Sequence, residues 1–127
     1  MDAPATPGDW FYRSEPSGGV VSFGEPQTEA KLQLRCERAS GTISIVRTGA
    51  APVGATMTIR TETADRALTA SAAPGPLPTV VARLPARDPL LDAMAFSKGR
   101  FAVEVTGLQT LYAPAWPEVT RVIEDCR

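Results

Sequence analysis

The sequence predicts a mainly β (α+β) fold: an antiparallel sheet or sandwich of about seven strands, with one short helix and a C-terminal helix. Three observations lead to this prediction. Short segments in which apolar and polar residues alternate recur along the chain, separated by turns rich in Gly and Pro. Two helical patterns interrupt them, one that begins with Asp88-Pro89 and one at the C-terminus. A chain of 127 residues that is 43% hydrophobic fits one domain with a substantial core.

The N-terminal half of the domain is predicted to consist of strands joined by turns. Residues 1–9 precede it as a flexible segment, and the domain itself covers residues 10–127. In residues 30–36 apolar and polar side chains alternate, which predicts a half-buried strand with Cys36 pointing inward. The other strand candidates of this half share such alternation or a content of aromatic and β-branched residues. They are residues 10–13, 20–23, 42–47, 56–61 and 67–71.

The C-terminal half contains both predicted helices. It begins with a Pro-rich loop at residues 72–78, which we do not expect to pair in a sheet. Asp88 as the N-cap and Pro89 in the first helical position predict a short helix over residues 89–98. In the strand that follows this helix, we expect Ala102 to face outward. The strand candidates of this half are residues 79–84, 100–106 and 108–112.

The last segment predicts a helix with one buried face and a covalent tether. After Pro117, three apolar residues and Cys126 follow the i, i+3, i+4, i+7 spacing of a single helix face. Because Cys36 and Cys126 both point inward, we predict a disulfide bond between them. Its ring of about 90 residues corresponds to roughly 4–5 kcal/mol of stabilisation in a loop-entropy estimate. The alternative is a pair of buried free thiols in a cytosolic protein.

The C-terminal third of the chain, residues 86–127, carries a further pattern. Its parts are Asp88-Pro89-Leu90-Leu91-Asp92-Ala93-Met94, Phe101-Ala102-Val103-Glu104-Val105, Gly107-Leu108 and the ending Asp125-Cys126-Arg127. This pattern resembles uncharacterised small periplasmic domains of bacteria, of the kind that alphaproteobacteria carry behind a secretion signal, with a Cys-tethered C-terminal helix. The resemblance implies a periplasmic location, a non-catalytic accessory role and Cys36 as the partner of the tethering cysteine. It supplies no site residues.

Composition excludes several classes of function. The chain has no histidine, which removes Ser-His-Asp and Cys-His nucleophile systems and any zinc site built on histidine. A net charge of −1 without a basic run argues against a nucleic-acid partner. No window approaches the roughly 18 apolar residues of a transmembrane helix. We therefore predict no catalytic residue, no cofactor and no metal site, and no transmembrane segment.

Two groups of aromatic residues are the candidates for a partner surface. The run at residues 10–12 should expose at least one side chain, because neighbours in a strand face opposite ways, and a second pair flanks Pro114 in a loop. The candidates are Trp10, Tyr12, Tyr112 and Trp116. The alternative is that these side chains cover the core. The Pro- and Ala-rich residues 1–8 resemble the start of a mature protein from which a secretion signal or lipoprotein anchor has been removed.

Together these observations favour a non-catalytic accessory or binding protein of the bacterial cell envelope, periplasmic or secreted, with an unknown protein partner. We expect a monomer or a weak dimer. A secreted inhibitor is one alternative, acting through a rigid loop at residues 72–78 or 112–117. A cytosolic domain of unknown function is a second. An enzyme that uses carboxylates or a Ser-Lys pair is a third, and it would need those groups to converge in one pocket.

Overall fold

A computed structural model describes residues 3–73 and 75–127. In these residues the chain forms ten strands and two helices. The strands are β1 (Asp9–Glu15), β2 (Gly18–Gly24), β3 (Leu32–Glu37), β4 (Thr42–Thr48), β5 (Thr56–Arg60), β6 (Asp65–Thr69), β7 (Ser71–Ala73), β8 (Thr79–Pro85), β9 (Arg100–Val105) and β10 (Leu111–Pro114). The helices are α1 (Pro89–Ala95) and α2 (Pro117–Asp125).

The strands form two antiparallel sheets around one core. The six-stranded sheet has the order β1-β2-β3-β4-β8-β7, and the four-stranded sheet has the order β10-β9-β5-β6. Buried side chains from both sheets and both helices form a single hydrophobic cluster. The predicted fold class, a mainly β sheet or sandwich with a short helix and a C-terminal helix, is confirmed, although the described residues form ten strands where about seven were predicted. No helix in the described part of the chain is long and apolar enough to cross a membrane.

Alternation along the strands fixes which face is buried. In β3, Leu32, Leu34 and Cys36 are fully buried, whereas the residues between them are half-buried. Leu34 pairs with Ile45 of β4, and Cys36 pairs with Ile43. Because side chains of an antiparallel pair alternate together, this register places the inward residues of both strands on one face. The inward direction predicted for Cys36 is confirmed.

The segment around residue 70 crosses from one sheet to the other. β6 pairs with β5 in the four-stranded sheet, whereas β7 pairs with β8 in the six-stranded sheet. The single strand predicted at 67–71 is therefore two strands, and Ala70 lies between them. The predicted loop at 72–78 was wrong at its beginning, because Ala72 pairs with Val80 and Ala73 with Thr79. The prolines of this segment come after Ala73 and leave those pairs intact.

The first helix begins as predicted and ends earlier. The Asp88 Oδ1 atom accepts a hydrogen bond from the Leu90 N–H at 2.8 Å, which makes Asp88 the N-cap of α1. The helix ends at Ala95, whereas the prediction extended it to residue 98. The Ser97 side chain explains part of the difference, since its hydroxyl binds the Arg100 carbonyl oxygen at 2.8 Å in a turn.

The second helix covers the six-stranded sheet and is tethered to it. Its buried face packs against β1, β2 and β3. Cys126, just after the helix, forms a disulfide bond with Cys36 of β3, with their Cα atoms 5.5 Å apart. Both the terminal helix and the disulfide predicted from the sequence are present.

The N-terminal segment lies along β10, although it was predicted to be flexible. The Thr6 N–H donates to the Tyr112 carbonyl oxygen at 3.0 Å, and the Tyr112 N–H donates to the Thr6 hydroxyl at 2.8 Å. Asp9 already belongs to β1. These bonds occupy backbone groups on the outer edge of β10, an edge that would otherwise be open.

Candidate functional site

Trp10, which the aromatic pattern assigned to a partner surface, lies instead in the core. Its side chain is 3% exposed, and its ring lies 5.2 Å from that of Phe23 and 6.4 Å from that of Phe101. The indole Nε1–H donates to the Pro114 carbonyl oxygen at 2.7 Å, so the polar atom of the ring is satisfied internally. Trp10 is therefore unavailable to a partner.

The other three aromatic candidates lie at separate places. Tyr12 is half-buried beside α2, and Tyr112 is half-buried on β10, where it lines a different hollow. Trp116 is 38% exposed and occupies the N-cap position of α2. Tyr12 and Tyr112 thus belong to two different parts of the surface.

Tyr12 connects β1 to α2. Its hydroxyl donates to the Asp125 carboxylate at 2.5 Å, and the Arg121 guanidinium carbon lies 3.7 Å from the centre of its ring. The hydrogen bond to Asp125 raises the pKa of Tyr12 above its ordinary value, because the phenol must keep its proton in order to donate. Arg121 therefore covers the Tyr12 ring in a cation–π contact. This cluster holds the helix on the sheet.

Phe11 is the exposed member of the aromatic run at residues 10–12. Its side chain is 47% exposed on the outer face of the six-stranded sheet, opposite to the core. Beside it lies a hollow of about 300 Å³, which we call the Phe11 hollow. The residues that line it are mostly apolar or contribute backbone: Phe11, Ser22, Phe23, Gly24, Glu25, Pro26, Gln27, Thr28 and Ala30.

One wall of the Phe11 hollow is the turn at residues 25–28, which hydrogen bonds hold in place. The Thr28 N–H donates to the Glu25 carbonyl oxygen at 3.2 Å, and the Thr28 hydroxyl donates to the same oxygen at 2.7 Å. Gln27, inside this turn, has a φ of 65°, in the left-handed region that non-glycine residues rarely occupy. The Lys31 N–H donates to the Phe23 carbonyl oxygen at 2.8 Å and closes the loop onto β2. The hollow therefore has a shape set by backbone hydrogen bonds.

The strand that carries Phe11 is also the edge of its sheet. β1 pairs with β2 on one side, and no strand of the described residues pairs with its other side. In an antiparallel pair, alternate residues direct their N–H and C=O groups away from the partner strand. β1 therefore offers main-chain donors and acceptors along its seven residues, next to the Phe11 hollow. We take this combination as the candidate site.

The two carboxylates at the first helix, Asp88 and Asp92, are held in ion pairs. Asp88 lies 2.8 Å from the Arg66 guanidinium and Asp92 lies 2.8 Å from that of Arg127. The hydrogen bond from Arg66 lowers the pKa of Asp88, with a further contribution from the Leu90 N–H. Over residues 3–73 and 75–127, no group of three or more metal-ligating side chains is found. Asp88 thus caps α1, and Asp92 connects this helix to Arg127.

The two loops considered for an inhibitor, residues 72–78 and 112–117, belong partly to strands. Residues 112–114 belong to β10 and pair with β9, and Ala113 is fully buried. Ala72 and Ala73 belong to β7. The part that remains exposed after β7 is a short turn that includes Leu77, whose side chain is 44% exposed.

Sequence reasoning missed Phe11 as the surface residue, although it predicted that at least one residue of the aromatic run would be exposed. The glycines of β2 have no side chain, so they do not indicate which face of the neighbouring strand is buried.

No family model, no curated protein and no solved structure matches this chain.

Proposed function

We propose that this chain is a non-catalytic binding domain of the bacterial cell envelope, which holds an extended segment of a partner protein along the open edge of β1. The observation that carries the proposal is that Phe11 belongs to the open edge strand β1 and also lines the hollow. An extended segment has the two features that this site can bind: main-chain N–H and C=O groups, and side chains that alternate between faces. One apolar side chain of the segment packs on Phe11, whose side chain forms one wall of the hollow.

The charges next to Phe11 specify the segment further. Asp9 and Arg13 lie two residues on either side of Phe11 and therefore on the same face of β1. Opposite charges on directly facing residues stabilise a strand pair, and like charges destabilise it. Arg13 is already paired with Glu15 of the same strand at 2.7 Å, which leaves Asp9 as the charge that a partner can pair with. We infer a partner segment with an apolar residue opposite Phe11 and a basic residue opposite Asp9.

The disulfide supports the assignment to the envelope. Disulfide bonds form and persist in oxidising compartments such as the periplasm, whereas thiols of cytosolic proteins are kept reduced. Cys36 is fully buried and Cys126 is 8% exposed, so the bond lies within the core beneath α2. Burial of this kind suits a bond with a structural role better than one that exchanges with other thiols.

The proposed function is tested with short linear peptides from a display library. Peptides are selected on the wild-type protein, and those that also bind the Phe11→Lys variant are discarded. We expect selected peptides to carry an apolar residue two positions from a basic one, and to bind Phe11→Lys at least about tenfold more weakly. Phe96→Lys is the matched control, because Phe96 is 73% exposed after α1, in neither β1 nor the Phe11 hollow, and it should bind like the wild type.

Amide hydrogen exchange then locates the bound peptide. The β1 amides that point to the open edge should become protected on binding, because they gain main-chain acceptors. Peptides that protect another part of the surface, or a selection that yields no Phe11-dependent binder, would contradict the proposal. Concentration-dependent sedimentation with the same amide protection in the absence of peptide would also overturn it, since a second copy would then occupy the edge.

A further inference from the structure

A second hollow lies between the N-terminal segment, the residues before β10 and the first sheet. Its volume is about 420 Å³. We call it the basic hollow, because Lys31 and Arg47 are the charged residues that line it. The other lining residues are Pro4, Ala5, Thr6, Pro7, Gln109, Thr110, Leu111 and Tyr112. Its size lies within the range of about 300–1,000 Å³ that is typical of small-molecule sites.

Arg47 occupies an unusual place for a charged residue. In β4 it pairs with Leu32 on one side and Val80 on the other, both of which are buried core residues. Its side chain is therefore on the inner face of the sheet and is half-buried. Burial lowers the pKa of the guanidinium, because removal from water disfavours the charged form.

The hydrogen bonds of Arg47 go to carbonyl oxygens, and its charge has no counter-ion among the described residues. The Nη2 group donates to the Gln109 carbonyl oxygen at 2.9 Å and the Nη1 group donates to the Thr48 carbonyl oxygen. The Nε–H group is buried and has no acceptor among the described residues. No carboxylate in the described ranges forms an ion pair with Arg47 or Lys31. A partly buried cation of this kind is unfavourable until an anion joins it.

We propose that the basic hollow binds an oxyanion, the carboxylate or phosphate group of a small ligand, between Arg47 and Lys31. The two bonds of Arg47 to carbonyl oxygens hold the guanidinium in place, and an arginine fork is suited to paired oxygens. Lys31 supplies a second positive charge, and the polar residues Gln109, Thr110 and Tyr112 also line the hollow. This site uses neither Phe11 nor the edge of β1.

The N-terminal segment completes the site. Residues 4–7 form one wall, and the two hydrogen bonds between Thr6 and Tyr112 attach that wall to β10. The ligand therefore contacts parts of the chain that are far apart in sequence. Binding should stabilise the attachment of the N-terminal segment to β10. The bound anion should also offset the positive charges of Lys31 and Arg47.

The proposal is tested by titration of the full chain, followed in backbone amide NMR spectra. The probes are inorganic phosphate and succinate, with sodium chloride at matched ionic strength as the control for screening. We expect saturable shifts confined to residues around the hollow, and the probe with the larger response identifies phosphate or carboxylate as the preferred group. Lys31→Met should weaken binding about tenfold or more, whereas the exposed Lys98→Met should bind like the wild type.

Arg47→Lys serves as the second variant, because it keeps the positive charge and loses the paired donors. It should fold and bind the probe more weakly than the wild type. Three results would overturn the proposal: shifts that do not saturate, shifts that chloride reproduces, or equal weakening by Lys31→Met and Lys98→Met. If saturable shifts map to another part of the surface, the oxyanion site lies elsewhere and the assignment to Arg47 is wrong.

Discussion

At the scale of single residues, Gly18 lies against the disulfide and has no space for a side chain. Its φ is +145°, a backbone conformation that favours glycine. A Cβ atom at this position would lie 2.6 Å from the Cys36 carbonyl oxygen and 2.8 Å from the Cys36 Sγ atom. Neither atom can move easily, because the first belongs to β3 and the second to the bond with Cys126.

We therefore predict that Gly18→Ala lowers the free energy of unfolding by about 2–4 kcal/mol, from backbone strain and overpacking together. Gly41→Ala is the matched control. Gly41 has a φ of +63° and no atom within 4 Å of an added Cβ, so only strain of about 1–2 kcal/mol applies. Urea denaturation measures both losses. Equal losses would show that crowding at the disulfide contributes nothing.

Single residues also show where sequence reasoning is ambiguous. Trp10, Phe11 and Tyr12 are all apolar enough for a core, so alternation requires two faces without saying which one is buried. Pairing decides it: Trp10 lies opposite Phe23 on the inner face, which leaves Phe11 outside. Ala102 was expected to face outward and is fully buried. A small side chain near other atoms is covered whichever way it points.

At the scale of elements, the start of α1 depends on Asp88. Its carboxylate accepts from the Leu90 N–H and pairs with Arg66. We predict that Asp88→Ala lowers the free energy of unfolding by about 1 kcal/mol, the usual value of an N-cap. Asp88→Asn should lose only a few tenths, because the amide oxygen keeps the cap and the half-exposed pair with Arg66 contributes little. Thermal or urea denaturation at neutral pH distinguishes the two variants.

The same residue gives a dependence on pH. The pKa of Asp88 in the folded chain is lower than its ordinary value of 3.8, because Arg66 and Leu90 favour the carboxylate. Stability from this shift is present above the ordinary value and is lost as the pH falls through the lowered pKa. Asp88→Asn lacks this titration, so its difference from the wild type should shrink as the solution is acidified below that value. If the difference in free energy of unfolding between Asp88→Asn and the wild type stays constant in acid, the pair with Arg66 does not contribute to stability.

Elements that are marked by a pattern within a few consecutive residues were predicted from the sequence. The boundary between β6 and β7, which depends on a change of sheet, was not. The inward face of β3 and the buried face of α2 follow from alternation and helical spacing within a few residues. The crossing at Ala70 has no such signal, since alternation continues from β6 into β7 while the partner strand changes. Pairing between strands distant in sequence decides that boundary.

At the scale of the whole molecule, the two proposed sites differ in how much of each could be predicted from the sequence. The edge of β1 and Phe11 belong to one short segment, so the aromatic run already marked the region. The basic hollow joins Lys31, Arg47 and Gln109, which come together only because β3 and β4 pair and the chain before β10 returns beside them. No spacing within the sequence predicts such a site.

The disulfide acts on the whole molecule through the unfolded chain. It joins Cys36 to Cys126 across 90 residues, and a ring of that size reduces the entropy of the unfolded state by an amount worth roughly 4–5 kcal/mol. α2 also has contacts with the sheet other than the bond. Val119, Val122 and Ile123 are buried on its inner face, each worth about 1.5–3 kcal/mol, and Asp125 binds Tyr12.

From this comparison we predict that the double variant Cys36→Ala/Cys126→Ala keeps α2 in place and loses global stability. The far-ultraviolet circular dichroism spectrum without denaturant should remain that of the wild type, whereas the free energy of unfolding should fall by about 4–5 kcal/mol. Reduced wild-type protein with its thiols intact controls for the smaller side chains and should lose a similar amount. Loss of helical signal before any denaturant is added would show instead that the bond, rather than the buried face, holds α2 on the sheet.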